Sequence, residues 1–377
     1  MVISSLEIRL FEAVFQYPIC DNIKATKMSL CKICASKDAT KTNSHLLPAF
    51  IEAIVGSYDH SYKRDRDVLI TKTPYETKVH VGAIPSDEND RLFNQEELSD
   101  NRIKTELAVN PCAMDYVFCP ECEKALSTYL ETPYSQQSRS SHAINGSLAY
   151  FFWMSVIWRM SIEKSFGFRL PENVESQLRE NLCVYLKQSK DGSVDINELI
   201  ESTPFCYKLF HCQNYCKNTN NGGLIHCWLS DSKKSIMCIL GDYSIEACFS
   251  REFQSEAPEY FLNKSIIESC PVNNGLKDEQ IQPIDTSLWS ETHRSFIQTS
   301  KRKIINGHLN FLHYLWQKLI DEGCIFSDRD IPPQMAFWII EKMYSDEGVK
   351  LGDKFTIKRW HDVIIEALEH PENWNRL

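Results

Sequence analysis

Apolar positions along the chain follow three patterns, and each predicts a different kind of element. The run "SLAYFFWMSVIWRM" (147–160) is apolar nearly all round, so it predicts a helix over about 147–165 in the centre of a core. "PENVESQLRENLCVYLKQS" (171–189) opens on a helix-starting proline and places Val174, Leu178, Leu182 and Tyr185 at helical intervals. "ECEKALSTYLE" repeats that spacing through Ala125, Leu126, Tyr129 and Leu130. The C-terminal runs "HLNFLHYLWQKLIDEG", "PPQMAFWIIEKMYSDEG" and "IKRWHDVIIEALEH" read as helices, two of them closed by glycine. Between 205 and 250 the pattern changes to the β-favouring runs "LIHCWLS", "SIMCILGDYS" and "IEACFS", broken by "DSKK" and "GDYS", which predicts antiparallel hairpins.

The remainder is polar. Residues 1–30 suggest a helix and a lead-in strand. From 31 to about 131 turn residues dominate, with short strands expected at Val68–Ile70 and Val79–Val81. "ETPYSQQSRSSHAINGS" (131–147) and the stretch from about 270 to 292 read as loops. "KQSKDGSVDINE" (187–198) has the spacing of a calcium loop, but Lys187 and Ser189 stand where oxygen ligands are needed, so it reads as a polar turn. The fold class expected is α+β, divided as an N-terminal module over 1–146 and a mainly helical domain over 147–377 with a small antiparallel sheet near 205–250.

Charge narrows the function classes. There are 41 basic and 51 acidic residues, a net charge of −10, which disfavours indiscriminate nucleic-acid binding because Lys and Arg supply most of that affinity. A local basic cleft stays open, with Arg64 and Arg66 in "YKRDRD" as candidates. The N-terminal "MVISSLEIRLFEAVF" carries acids and an arginine among its apolar positions, unlike a secretory leader. The most apolar run is too short to span a bilayer. A cytoplasmic protein with no membrane partner is therefore expected.

In a reducing compartment, clustered cysteines among the 15 present point to metal or catalysis more than to disulfides. Cys31-x-x-Cys34 and Cys119-x-x-Cys122 each have the bite of a zinc turn, since two thiolates so spaced reach one tetrahedral ion at ~2.3 Å. Together they would complete a structural zinc site, one pair tipping a hairpin and the other opening a helix whose N-terminus favours thiolates. A chance spacing of buried core thiols is the alternative. Cys212-x-x-x-Cys216 with His226 is a weaker metal pattern, better explained by buried strand cysteines.

The order Cys31, Cys34, "SHLLP" (44–48), "CPECE" (119–123) and the helix "FFWMSVIWR" (151–159) resembles bacterial HNH-type (ββα-metal) proteins with a treble-clef zinc site. The resemblance covers about residues 28–160 and implies a metal-dependent nuclease, possible in bacterial defence, acting on DNA or RNA. It puts His45 in the general-base position, Ser44 where an Asp or His usually precedes it, and Asn110 as the nearest residue of the type expected later in the motif. It also implies Mg²⁺ or Mn²⁺ at the catalytic site, although serine is a poor substitute for a carboxylate ligand. The competing expectation is a catalytically silent zinc scaffold that binds a protein partner through its helical C-terminal half. Under that reading His45 simply pins a strand.

Overall fold

The computed structural model describes residues 29–55, 68–72, 77–81, 112–140, 143–162, 166–191, 195–218, 224–258, 261–323, 330–345 and 356–374. The helix expected at the N-terminus, Arg64, Arg66 and Asn110 lie outside the described residues.

The architecture is α+β. In chain order the N-terminal elements are β1 (Ser44–His45), α1 (Ala49–Val55), β2 (Val68–Lys72), β3 (Thr77–Val81), β4 (Ala113–Met114) and α2 (Pro120–Leu126). A π-helical turn over Ser127–Glu131 leads into α3 (Thr132–Arg139), then α4 (Gly146–Ile162), α5 (Glu172–Asp191) and α6 (Ile196–Ser202). β1 pairs with β4, and β2 with β3, both antiparallel.

α4 is the axis of the main core. Every residue from Leu148 to Ser161 is buried, which requires protein on all sides of this helix. Phe151 stacks on Tyr185 of α5, and Phe152 lies parallel to Tyr134 of α3 with centroids 3.9 Å apart. Each such aromatic buries enough surface to contribute roughly 2–3 kcal/mol. Gly146 starts the helix because nothing larger fits: a Cβ there would sit 1.8 Å from the carbonyl oxygen of Lys277.

The stretch 131–147, read as a loop from its polarity, contains α3 instead. Pro133 in the first turn is compatible with a helix start, and Tyr134 supplies the one buried face of an otherwise polar helix.

The sheet is larger than expected and mixed. Its strands are β5 (Cys206–His211), β6 (Ile225–Leu229), β7 (Ser235–Leu240), β8 (Tyr243–Cys248) and β9 (Ile281–Pro283), in the order β6-β7-β8-β5-β9. The short α7 (Tyr215–Asn218) follows β5, and α8 (Lys264–Ser269) precedes β9. The first four strands pair antiparallel as the hairpin pattern predicts, but β9 joins β5 in parallel. A three-residue strand ending in Pro283 carries no alternation to read, which is why it looked like loop.

Glu279, just before β9, locks the sheet edge to the helices. Its carboxylate accepts from Tyr207 Oη at 2.7 Å, Trp153 Nε1 at 2.9 Å and Tyr134 Oη at 3.0 Å. Burial raises its pKa to about 7 against the pull of those donors.

The helix α9 (Thr286–Asp321) begins well before the apolar spacing becomes regular, capped by Asp285, which accepts from Leu288 N at 2.9 Å. Its first turns pack Trp289 and Phe296 against the outer face of the sheet. Its last turns pack Leu312, Leu315, Trp316 and Leu319 against α10 (Pro333–Ser345) and α11 (Ile357–Glu369). Among the described residues, no helix is long and apolar enough to cross a membrane.

Candidate metal centre

Two tight turns bring the four cysteines together. In the first, Cys31 N donates to Lys37 O at 2.7 Å, and Ala35, at φ 50°, turns back so that its N–H reaches Cys31 O at 2.8 Å. The Leu30–Asp38 bridge closes this turn as the tip of a small hairpin. In the second, Cys119 stands at the N-cap of α2 with Pro120 in the first helical position, and Glu123 N donates to Cys119 O.

The turns are tied to each other. Lys32 N donates to Val117 O at 2.9 Å, Tyr116 N to Lys41 O at 2.8 Å, and the exposed Lys37 and Glu121 pair at 2.8 Å. The lysine holds the Glu121 carboxyl down at about 2.

The Sγ atoms of Cys31, Cys34, Cys119 and Cys122 all lie within 4.8 Å of one another. Four sulfurs at ~2.3 Å from a tetrahedral zinc are about 3.8 Å apart, so the cluster has the size and the soft donor set that zinc takes. Four thiols packed this closely share their protons unequally. The Cys31 thiol is lowered to about 4, chiefly because the Cys122 S–H donates to it, while Cys122 is raised by the same contact and by burial. Burial likewise pushes Cys119 up to about 11. At Cys34 burial is outweighed by the hydroxyl and amide of Ser36 and the amide of Lys37, and the thiol falls. Deprotonating all four together requires a cation among them.

The same scaffold holds Ser44 and His45. β1 pairs Ser44 with Met114 and His45 with Ala113, immediately before the second cysteine turn, so the metal turns fix the strand. Ser44 is fully buried; His45 keeps its side chain 20% exposed, enough for solvent to reach it. His45 Nδ1 lies 3.3 Å from Glu52 Oε2 on α1. From α4 the buried Arg159 donates through Nη1 to His45 O at 3.0 Å and to Glu131 Oε1 at 2.7 Å. Glu123, directly after the cysteines, completes the knot. Burial raises its pKa, opposed by the neighbouring Ser44 hydroxyl and by Arg159, while Glu131 raises it further.

His45 and Ser44 therefore sit together beside the cysteines, while Asn110 lies outside the described residues. Among the described residues, the charged groups near His45 are carboxylates and an arginine. Glu52 was not singled out in the sequence; its only signal is its place in the first turn of the helix after "SHLLP". The alternative metal pattern dissolves. Among the described residues the Cys31 group is the only His, Cys, Asp or Glu cluster of metal-binding size, and His226 instead packs against Phe296.

No family model matches the chain, and neither the curated proteins nor the solved structures give a match.

Proposed function

We propose that the chain is a metal-dependent nucleic-acid hydrolase of HNH type, in which zinc on Cys31, Cys34, Cys119 and Cys122 is a structural staple and His45 is the general base. The observation that supports it is the strand β1. It lies between the two cysteine turns and presents a partly exposed histidine beside a group of acids, with Arg159 holding its backbone. The zinc ribbon would then be of treble-clef type, one cysteine pair on a hairpin tip and the other at a helix start.

In this reading His45 takes a proton from the attacking water. A Mg²⁺ or Mn²⁺ ion would supply charge stabilisation at the phosphate and leaving oxygen. Ser44 is a poor ligand for it, and Glu131 is already paired with Arg159. The substrate would be DNA or RNA, with bacterial defence as a setting suggested by the resemblance.

The second reading, a zinc-stapled scaffold without catalysis, draws on Ser44. A neutral, fully buried side chain occupies the position where a charged ligand is expected. Its protein partner would engage the helical C-terminal half, where Phe337, Tyr314 and Tyr344 are exposed.

The test is cleavage of DNA and RNA by the zinc-loaded protein with Mg²⁺ or Mn²⁺, compared with His45→Ala. Cleavage lost in the variant supports the hydrolase. Equal cleavage by both proteins removes His45 from the chemistry. No cleavage by either favours the scaffold.

A further inference from the structure

Two pairs of cysteines stand directly across from one another in the sheet: Cys227 from Cys238 on β6 and β7, and Cys206 from Cys248 on β5 and β8. None of them belongs to the Cys31 cluster, and the proposed hydrolysis uses none. The backbone treats the two pairs differently, and that difference decides which pair can form a bond.

Opposed residues of an antiparallel ladder alternate between hydrogen-bonded and non-hydrogen-bonded pairs, and side chains lie closer in the second kind. Between β6 and β7 the ladder is marked at both ends. Ser230 N donates to Ser235 O at 3.0 Å, and Gly241 N to Leu224 O at 2.9 Å. Counting inward from either end makes Trp228–Met237 and His226–Ile239 hydrogen-bonded pairs, so Cys227–Cys238 between them is not one. A disulfide needs Cβ atoms roughly 3.5–4.5 Å apart, the near end of what opposed strands offer, and non-hydrogen-bonded pairs come closest to it. Between β5 and β8 the count starts from Cys212 N, which donates to Asp242 O at 2.9 Å. It makes Cys206–Cys248 a hydrogen-bonded pair, with its side chains further apart.

Access separates the pairs as well. Cys206 and Cys248 are both buried, and Cys248 Sγ donates to Gln254 O at 3.2 Å. Cys238 is buried in the core built on α4, but Cys227 is only half-buried, and its strand β6 is the last in the sheet order. Burial raises the Cys238 thiol well above its ordinary value, and Cys227 beside it raises it further. Cys227 is therefore the thiol that meets an oxidant, and Cys238 the one that follows.

We infer that Cys227 and Cys238 form a dithiol site that a small disulfide of the glutathione type oxidises to a cross-strand bond, tying the edge strand β6 to β7. The Cys227 thiolate attacks one sulfur of oxidised glutathione, and the first glutathione leaves with the proton that Cys227 gave up. Cys238 then attacks the Cys227 sulfur and breaks the mixed disulfide. Its proton goes to the second departing glutathione thiolate. Two protein thiols are oxidised and one glutathione disulfide is reduced to two thiols.

The experiment uses the purified full chain, reduced, freed of reductant and incubated with oxidised glutathione, then alkylated and mapped by peptide mass spectrometry. The expected result is a link between Cys227 and Cys238, while Cys206 and Cys248 alkylate as thiols. In Cys238→Ser, Cys227 should end as the mixed disulfide with glutathione, because no thiol follows it; Cys238→Ala serves if that variant does not fold. A wild-type chain in which Cys227 and Cys238 both alkylate, or in which Cys206 links to Cys248 instead, overturns the inference. So does a wild-type chain that stops at the glutathione adduct of Cys227, since Cys238 would then be out of reach.

Discussion

The guanidinium of Arg159 reaches out of the most completely buried helix of the protein to hold the backbone carbonyl of His45, Nη1 to O at 3.0 Å. One nitrogen thereby connects the central core helix to the strand between the cysteine turns. The same Nη1 binds Glu131 Oε1 at 2.7 Å, so the charge is paired where it is buried. A buried arginine is costly unless paired and hydrogen-bonded; Nη1 meets both conditions, whereas Nη2 is buried without a hydrogen-bond partner among the described residues.

Removing Arg159 should therefore be expensive. Arg159→Met leaves Glu131 without its partner and His45 O without its donor, and should cost about 3 kcal/mol of stability. Urea denaturation of the single variants and of Arg159→Met/Glu131→Gln checks this. The double variant should be less unstable than the sum of the two singles, because the second change removes a charge that the first left stranded.

Gly146 tests the seating of α4. With a methyl group directed at Lys277 O, Gly146→Ala should destabilise by about 2–3 kcal/mol despite the better helix propensity of alanine. A thermal melt that rises instead would mean the loop at Lys277 gives way freely.

Glu279 makes stability depend on pH near neutrality. Its folded pKa, about 7, lies above the ordinary carboxyl value of 4.5. Between those values the folded state binds more protons than the unfolded state, so this residue's contribution to stability falls as pH rises from about 4.5 through 7 and is level above that. The fall is about 3 kcal/mol in order of magnitude. Glu279→Gln should flatten this part of the profile, measured as wild type minus variant across pH 4 to 8. A wild-type profile that instead rises relative to the variant would contradict the buried-acid account.

Local chemistry made parts of this molecule readable in advance. The apolar girth of 147–160 gives α4, the proline start gives α5, and the β-favouring runs give the antiparallel strands β6, β7 and β8. The spacing of Cys31, Cys34, Cys119 and Cys122 already pointed to one cluster, because a two-residue bite is a local property. What depended on distant partners was not readable. α3 is helical because Tyr134 is buried beside Phe152 and Glu279, residues remote in the chain. β9 exists because β5 offers it an edge. The surroundings of His45 combine Glu52, Glu123, Glu131 and Arg159 from four separate elements, and no spacing rule links them.

The staple itself is the most direct point of attack. The metal content of the purified full chain, by native mass spectrometry, is the measurement to make, alongside Cys122→Ser. The account predicts one zinc per wild-type chain held by these four sulfurs, and its loss in the variant together with the folded N-terminal structure. A wild-type chain that folds with no bound zinc, or a Cys122→Ser variant that keeps it, would contradict the zinc staple from which the position of His45 is argued.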